Sequence, residues 1–596
     1  MTLGQNSADG FSGGDYLTED TVLRSYALYP TKKRRCCHID GDSFTIIGTC
    51  FSILTVAITV ALIIQIHYGN PEVTPHGAVA TDEEECSRVG ITIMRDGGSA
   101  VDVSIASILC MAVVHPHTVG PGGSGVMLIR DHKTNTSTVL DFMSGVPRSH
   151  KHDDPQPHET DGQSIGVPGL LRGLQYAHSK YGKLPWAKLF EPSIEIARRG
   201  FNVSAQLEEA LKKSNITKVD GATPFDQTFF PKGIMLKKGS FMQRKDFAEF
   251  LDVVATYGAD SFYAIEFGVE EIEALRAKGS EIHVKDFEDY QVRERPCIHI
   301  LVQNRSLYTA PAPFGGPQLL TAVHLLRNSN ITHFTTPSTL YHYFIEAIRR
   351  SYAGFIKLAS ANETDLQNLT ELLLTSTSGE SLDSSVSHAD TNIPRFPEQA
   401  ASSISVIDTF DQYVTSIVGL GTYFGSRMMT KHGILFNNHL ANMLPHTHPD
   451  NTQHSHARPV TSYTPVIITD STQVCGRRVV LGSPEVGAAV QVVGQMVFQD
   501  YDLTRAIEQP RITVKPGINQ MFVEDLRNGD PILGSVRNEL EAMNYTFQIL
   551  HLPYASVNGI AKLKDTLLSW SDARGGGVAH RLEPAPKHTE NITNGS

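Results

Sequence analysis

The side chains most suited to nucleophilic chemistry lie in one short segment, residues 400–408, which reads Ala-Ala-Ser-Ser-Ile-Ser-Val-Ile-Asp. A hydroxyl becomes a nucleophile when an adjacent base accepts its proton, so Ser402 and Ser403 are candidates for acyl transfer. Ordinary polar positions of a strand account for the same serines and are the favoured interpretation. Glycine-rich turns follow at 419–426 and 433–438, and another hydroxyl pair, Thr461 and Ser462, lies in the segment RPVTSYTP.

Two further patterns have the composition of a ligand site. Four imidazoles lie within eleven residues, a density that can bind zinc or copper, but a variable polar loop explains them better and no metal site is predicted. They are His446, His448, His454 and His456. The glycines of 120–125 are not a phosphate loop, because they follow a helix, precede a strand and lack a Gly-Lys-Ser/Thr sequence.

An uncharged run from Phe44 to Ile66 is long enough to span a membrane as one helix, which takes about 20 residues. The basic residues 32–35 precede it, so the positive-inside rule places the N-terminus in the cytoplasm and the body outside. A cleaved signal peptide is disfavoured, because the run is too long and starts too late. Cys36 and Cys37 are either palmitoylated or reduced cytosolic thiols. A type II plasma-membrane protein is predicted.

Glycosylation sequons support this topology, because all of them follow the apolar run. A net charge of −12 argues against nucleic-acid binding. With 40% apolar residues, the 596-residue chain can bury a large core. The sequons begin at Asn135, Asn202, Asn215, Asn304, Asn330, Asn362, Asn368, Asn544, Asn591 and Asn594.

Several separated motifs resemble those of the γ-glutamyltransferase family, whose members are also called glutathione hydrolases. The resemblance covers about residues 77–580 and is carried by motifs in the family's order and spacing. They are DGGSAVD at 96–102, GPGGSG at 120–125, GVPG at 166–169, YGKLPW at 181–186, GFNVS at 200–204, APFGG at 312–316, GILFNN at 433–438 and DARGGG at 572–577.

The resemblance implies an α/β (α+β) fold, the αββα four-layer sandwich of N-terminal-nucleophile hydrolases, here with one N-terminal transmembrane helix. Family precursors cleave themselves before a threonine, which then attacks the γ-glutamyl carbonyl of glutathione. The family carries a disulfide at the spacing of Cys86 and Cys110, whereas Cys297 and Cys475 either pair or stay free. No cofactor is implied.

Carried over position by position, the resemblance places an alanine, Ala401, where the threonine belongs. Use of Ser402 would require a one-residue shift, which reverses a side chain's direction across a strand. Most other site positions are also altered. Met143 occupies the position of the arginine that binds the substrate carboxylate, and His439 and Asn442 occupy the positions of two carboxylates that hold the substrate amino group. Gly419 and Gly421 replace a threonine and an asparagine. Glu485 and Val486 replace the paired glycines of the oxyanion hole. Thr461 and Ser462 remain.

These departures predict a membrane-anchored homologue with impaired catalysis, similar to the glutathione hydrolase 7 subgroup. An active hydrolase that uses Ser402 and an adhesion or receptor-like ectodomain are the alternatives. The expected partners are the membrane, a weakly bound glutathione or other γ-glutamyl ligand, and an unknown protein; no nucleic acid is expected.

The elements that must position these residues follow from the same landmarks. The predicted organisation is a cytoplasmic tail over 1–43, the signal-anchor over 44–66, a stalk over 67–80, and regions equivalent to the family's large and small subunits over 81–400 and 401–596. One buried helix is expected over 90–114, a strand over 126–129, a helix over 341–355, and a Ser-rich loop over 375–397.

Overall fold

A computed structural model describes most of the chain. The described residues are 43–68, 76–150, 158–214, 216, 221, 223–264, 266–329, 331–332, 334–359, 375, 382, 399–443, 458–473, 475–515, 520–524 and 531–582. Several sequence predictions fall outside them. These are the tail before residue 43 with Cys36 and Cys37, nearly all of the Ser-rich loop, the four clustered histidines, and the sequons at Asn215, Asn330, Asn362, Asn368, Asn591 and Asn594.

Helix α1, Ser43–Tyr68, belongs to a unit of its own, residues 1–72. Within it, Phe44–Ile64 is long and apolar enough to cross a membrane, and the helix exposes these side chains instead of packing them in a core. A single apolar N-terminal helix is therefore present where the sequence predicts one.

The second unit, residues 73–596, alternates helices and strands. The helices are α2 Glu84–Arg95, α3 Ala100–Val114, α4 Leu170–Tyr181, α5 Glu191–Arg199, α6 Ala205–Lys213, α7 Pro224–Phe229, α8 Lys245–Tyr257, α9 Asp260–Tyr263, α10 Glu266–Arg276, α11 Val284–Glu288, α12 Gly316–Arg327, α13 Pro337–Ala359, α14 Val486–Phe498, α15 Leu503–Glu508 and α16 Pro531–Ala542.

The strands are β1 Ala78–Ala80, β2 Ser124–Asp131, β3 Thr136–Phe142, β4 Phe201–Asn202, β5 Phe241–Met242, β6 Arg293–Pro296, β7 Ile298–Val302, β8 Arg305–Thr309, β9 Ala400–Ile407, β10 Gln412–Gly421, β11 Thr464–Asp470, β12 Arg478–Ser483, β13 Ile512–Val514, β14 Met521–Glu524, β15 Phe547–Leu550, β16 Asn558–Leu563, β17 Thr566–Trp570 and β18 His580–Arg581. The predicted strand over 126–129 and the helix over 341–355 lie within β2 and α13. Residues 78–80, expected in the stalk, form a buried strand.

Two large sheets form the centre of this unit. One has the strand order β18-β1-β9-β10-β2-β3-β6 and the other β17-β16-β12-β11-β8-β7. A first apolar cluster joins the first sheet to helices that include α2, α3, α4, α5 and α8, and a second joins the other sheet to α12, α13 and α14. A third cluster fills the space between the sheets, with Leu128 and Ile417 from one and Ile467 and Val480 from the other. The architecture is thus the predicted αββα sandwich.

The prediction of a single helix over 90–114 is wrong. The structure has two helices, α2 and α3, separated by a turn in which Gly97 adopts a positive φ of 93°. Ser99 caps the second helix by accepting a hydrogen bond from the Asp102 amide, and the Ser99 amide donates one to Asp102 Oδ2. This capping box starts a new helix, so the apolar run is interrupted. A disulfide between Cys86 and Cys110 joins the two helices.

Candidate functional site

A cavity lies at the start of β9, with an empty volume of about 930 Å³ that includes space open to solvent. Residues from several distant parts of the chain line it, as expected for a site in the crevice at the end of a packed sheet. They are Gln318, Tyr352, Gln399, Ala400, Ala401, Tyr423, Val460, Thr461, Ser462, Pro484, Glu485, Thr513, Val514, Lys515, Leu550, Tyr554 and Ala555.

Ala401 and Ser402 project from opposite faces of β9, as adjacent residues of a strand must. Ala401 faces the cavity and the apolar cluster between the sheets. Ser402 is fully buried, and its Oγ is hydrogen-bonded to Thr118 Oγ1 at 2.8 Å and lies 3.4 Å from His115 Nδ1. The hydroxyl next to the nucleophile position is therefore directed toward the segment after α3, away from the cavity.

The bases beside Ser402 are His115 and Asp82. A second histidine, His117, packs against His115, with their ring centroids 3.9 Å apart. Burial lowers the pKa of His115 to about 3, and it lowers the pKa of His117 well below its usual value. Both imidazoles are therefore neutral at physiological pH. His115 could accept a proton from Ser402, but the serine is directed away from the cavity and does not line it.

Gly419 of β10 pairs directly with Ala401, and the hydroxyl of Tyr463 occupies the space above them. A Cβ atom added at Gly419 would lie 2.2 Å from Tyr463 Oη and 2.7 Å from Ala401 Cβ. The threonine that the family resemblance places at this position could not fit beside Tyr463 unless the surrounding side chains moved.

Tyr463 is also close to a buried polar chain that runs toward Met143. His439 Nε2 lies 3.4 Å from Tyr463 Oη, and His439 Nδ1 is hydrogen-bonded to Ser144 Oγ at 2.8 Å. Ser144 Oγ in turn contacts Ser124 Oγ at 2.5 Å. Burial lowers the pKa of His439 to about 3 and raises that of Tyr463. The chain is thus neutral where the family resemblance implies charged substrate-binding groups.

Met143, His439 and Asn442 are each buried almost completely, and none of them lines the cavity within the described part of the chain. Two of them, His439 and Asn442, belong to a short 3₁₀ turn, and His439 contacts Tyr463. At Gly421, where φ is +101°, an added Cβ would lie 2.0 Å from Asn438 Oδ1. The amide of Asn438 thus fills the space that the family's asparagine would require.

The retained hydroxyl pair does border the cavity. The Ser462 amide donates to Gln399 Oε1 at 2.8 Å, and Gln399 Nε2 donates to the Val460 carbonyl at 3.2 Å. These bonds hold the residue just before β9 against the segment that carries Thr461. Thr461 is 1% exposed, and its amide donates to the Pro313 carbonyl.

The predicted oxyanion positions lie at the N-terminus of α14. Glu485 is the N-cap residue and lines the cavity, whereas Val486 is the first helical residue and is fully buried. The Ser483 hydroxyl caps the turn by contacting the amide and the carbonyl of Glu485. A carboxylate at this position would oppose the development of negative charge on a reacting oxygen.

A buried polar network centred on Asp82 was missed by sequence reasoning. Asp82 accepts hydrogen bonds at 2.6 Å from Ser556 Oγ and from Asn558 Nδ2, and Asn558 Nδ2 also donates to the Ser403 carbonyl. Burial raises the pKa of Asp82, and the hydrogen bonds from Ser556, Asn558 and Ser402 oppose this. The one sequence signal nearby is the DARGGG motif, whose Asp572 pairs with Arg511 in the same region.

The remaining predicted positions are distributed over the surface and core. The sequons at Asn135, Asn202, Asn304 and Asn544 are exposed. Cys297 is half-buried and Cys475 exposed, and both are free thiols. Among the described residues, no three His, Cys, Asp or Glu side chains are grouped closely enough to hold a metal ion.

Comparison with known proteins gives relatives along most of the chain. Glutathione hydrolase 7 of Bos taurus is 29% identical over 503 residues, which cover 79% of this chain and 73% of the relative. Glutathione hydrolase 7 of Homo sapiens is also 29% identical, over 502 residues with the same coverages. Glutathione hydrolase 5 proenzyme of Rattus norvegicus is 28% identical over 493 residues, 77% of this chain and 86% of the relative.

Solved structures share the fold at lower sequence identity. Cephalosporin acylase from Bacillus halodurans has a TM-score of 0.72 at 20% identity, covering 85% of this chain and 95% of that one. This is a likeness of architecture, and it agrees with the four-layer sandwich described above. The sequence model of gamma-glutamyltranspeptidase matches residues 86–582, so the chain belongs to the gamma-glutamyltranspeptidase family.

Proposed function

We propose that this protein is a membrane-anchored family member that has lost self-cleavage and γ-glutamyl transfer and retains the fold for binding. The observation that carries the proposal is the pairing of Ala401 with Gly419 under Tyr463, which leaves no hydroxyl at the nucleophile position and no room for the family's supporting threonine.

The surroundings of this pair support the same conclusion. Ser402, the nearest alternative nucleophile, is buried on the opposite face of β9. Met143 cannot form the bidentate pair that an arginine makes with a carboxylate. Glutathione or a related γ-glutamyl compound would thus bind weakly at most, because the groups that recognise its glutamyl end are replaced by buried, neutral ones.

The experiment is expression of the full-length chain, deglycosylation, and a reducing SDS gel. We expect one full-length band and no turnover of a γ-glutamyl anilide above background, because without a hydroxyl at residue 401 nothing attacks the preceding peptide bond. A catalytically active family member run in parallel should give two fragments. A fragment beginning at Ser402, with turnover that Ser402→Ala abolishes, would show an active hydrolase instead.

The proposed topology is a type II plasma-membrane protein with an extracellular body. It rests on α1 and on the basic residues 32–35 that precede it. Protease added to intact cells should digest a C-terminal tag and leave an N-terminal tag intact. If only the N-terminal tag is digested, the protein has the opposite orientation. If the C-terminal tag is digested only after the cells are permeabilised, the protein lies in an internal membrane.

A further inference from the structure

One wall of the cavity beside Ala401 is formed by Gln318, the third residue of α12. The side chain is only 2% exposed, and its Oε1 is buried without a hydrogen-bond partner among the described residues. A buried amide oxygen that has lost its water without gaining a donor is unfavourable and rare. Because Gln318 lines the cavity, a donor on a ligand bound there could satisfy this oxygen.

Thr461, another residue that lines the cavity, carries a second unsatisfied group. Its Oγ1 is buried and has no hydrogen-bond partner within the part of the chain that the structure describes. The backbone around it is fixed, because the Thr461 amide is bonded to the Pro313 carbonyl and the next amide to Gln399. A threonine hydroxyl can donate to a carbonyl oxygen, whereas the Gln318 oxygen can only accept.

The rest of the lining restricts the charge of a ligand. The described lining residues include one carboxylate, Glu485, and one ammonium, Lys515, so their formal charges cancel. Tyrosine rings and aliphatic side chains, such as Tyr352, Tyr554 and Val514, make up much of the remainder. An uncharged ligand with an apolar or aromatic body therefore fits better than the zwitterionic glutamyl end of glutathione.

We propose that this cavity binds small uncharged carboxamides, with the amide N–H donating to Gln318 Oε1 and the amide carbonyl accepting from the Thr461 hydroxyl. The carboxamide is the simplest group that supplies both a donor and an acceptor without a charge. Binding of this kind needs no nucleophile, so the inference goes beyond the proposed loss of catalysis and does not depend on it.

The test compares two probes of the same shape, 4-fluorobenzamide and 4-fluoroacetophenone, by fluorine NMR titration of the full-length chain in detergent. Both have a carbonyl oxygen, but only the amide has N–H donors. We expect the amide to bind about tenfold more tightly, the value of one well-placed hydrogen bond. Equal binding of the two probes, or tighter binding of 4-fluorobenzoate or 4-fluorobenzamidine, would overturn the proposal. Titration of detergent alone corrects for partitioning.

Two variants then assign the contacts. Gln318→Met keeps the side-chain length, removes the acceptor, and should abolish the preference for the amide. Thr461→Val should weaken both probes similarly, because both carry the carbonyl. If either variant fails to fold, as judged by its melting temperature, the comparison of probes on the unaltered chain still decides the proposal. A preference for the amide that persists in folded Gln318→Met would place the donor contact elsewhere and refute the assignment.

Discussion

The Tyr463 hydroxyl occupies the position that a side chain at Gly419 would need, 2.2 Å from where its Cβ would lie. The two residues belong to different parts of the sandwich, β10 of one sheet and the segment that leads into β11 of the other. A glycine at 419 and a tyrosine at 463 therefore depend on each other, and together they close the space beside Ala401.

This dependence predicts a non-additive pair of substitutions. Gly419→Ala alone should destabilise the protein by about 1–3 kcal/mol, the usual range for overpacking a core. In a Tyr463→Phe background the loss of stability caused by Gly419→Ala should be smaller, because the atom closest to the added methyl group has been removed. Part of the loss should remain, because that methyl group would still lie 2.7 Å from Ala401 Cβ. A double-mutant cycle on urea unfolding measures the coupling. Additive effects would show that the two side chains do not compete for space.

Restoring the nucleophile alone should not restore the enzyme. We expect Ala401→Thr to give no γ-glutamyl-anilide turnover, because the family resemblance places Met143, His439 and Glu485 where active relatives carry the groups that bind the substrate and its oxyanion. The matched variant Ala401→Val, which has nearly the same shape and no hydroxyl, separates steric effects from chemistry. Turnover in the threonine variant, absent from the valine variant, would mean that Ala401 was the one essential loss. Self-cleavage without turnover would mean that the threonine variant can cleave its own chain but cannot hydrolyse a γ-glutamyl substrate.

The sandwich was predictable because its motifs are distributed along the chain in a fixed order, and the glycines among them mark required turns. The filling of the space beside Ala401 was not predictable. Sequence reasoning identified Ala401 and Gly419 as altered positions. It could not show that the hydroxyl of Tyr463, which is distant in the sequence, fills the space beside this pair. Contacts between separate sheets depend on three-dimensional packing. The same limitation hid the network of Asp82 with Asn558, whereas the break before α3 was missed although its signals, Gly97 and the Ser99 cap, were visible.

The disulfide between Cys86 and Cys110 should contribute to stability. It closes a segment with a sequence separation of 24 residues, for which chain entropy predicts about 3.5 kcal/mol. Replacing both cysteines by alanine should lower the midpoint of urea unfolding accordingly, and non-reducing peptide mapping of the unaltered protein should recover the two linked. The corresponding control is Cys475→Ala, which removes an exposed free thiol and should change little. Free thiols at 86 and 110 in folded protein would contradict the assignment.

Acidification should destabilise the protein through its buried neutral histidines. Burial lowers the pKa of His439 and of His115 to about 3, whereas the unfolded chain titrates near 6.5. Between these values the unfolded state binds more protons than the folded state, so the free energy of unfolding falls as the pH falls below about 6.5. Each such group contributes about 2 kcal/mol between pH 7.5 and 5.0.

Urea unfolding at pH 7.5, 6.5 and 5.0 measures this dependence, and His439→Gln should reduce it by about one group's contribution. Ser144→Ala is the matched control. It removes the hydrogen-bond partner of His439 but leaves the imidazole buried, so it should lower stability at every pH and preserve the slope. A slope that is unchanged in His439→Gln would mean that the folded state does not lower the pKa of this imidazole. The chain of polar groups from Ser124 to Tyr463 would then hold a positive charge beside Ala401 below about pH 6.5.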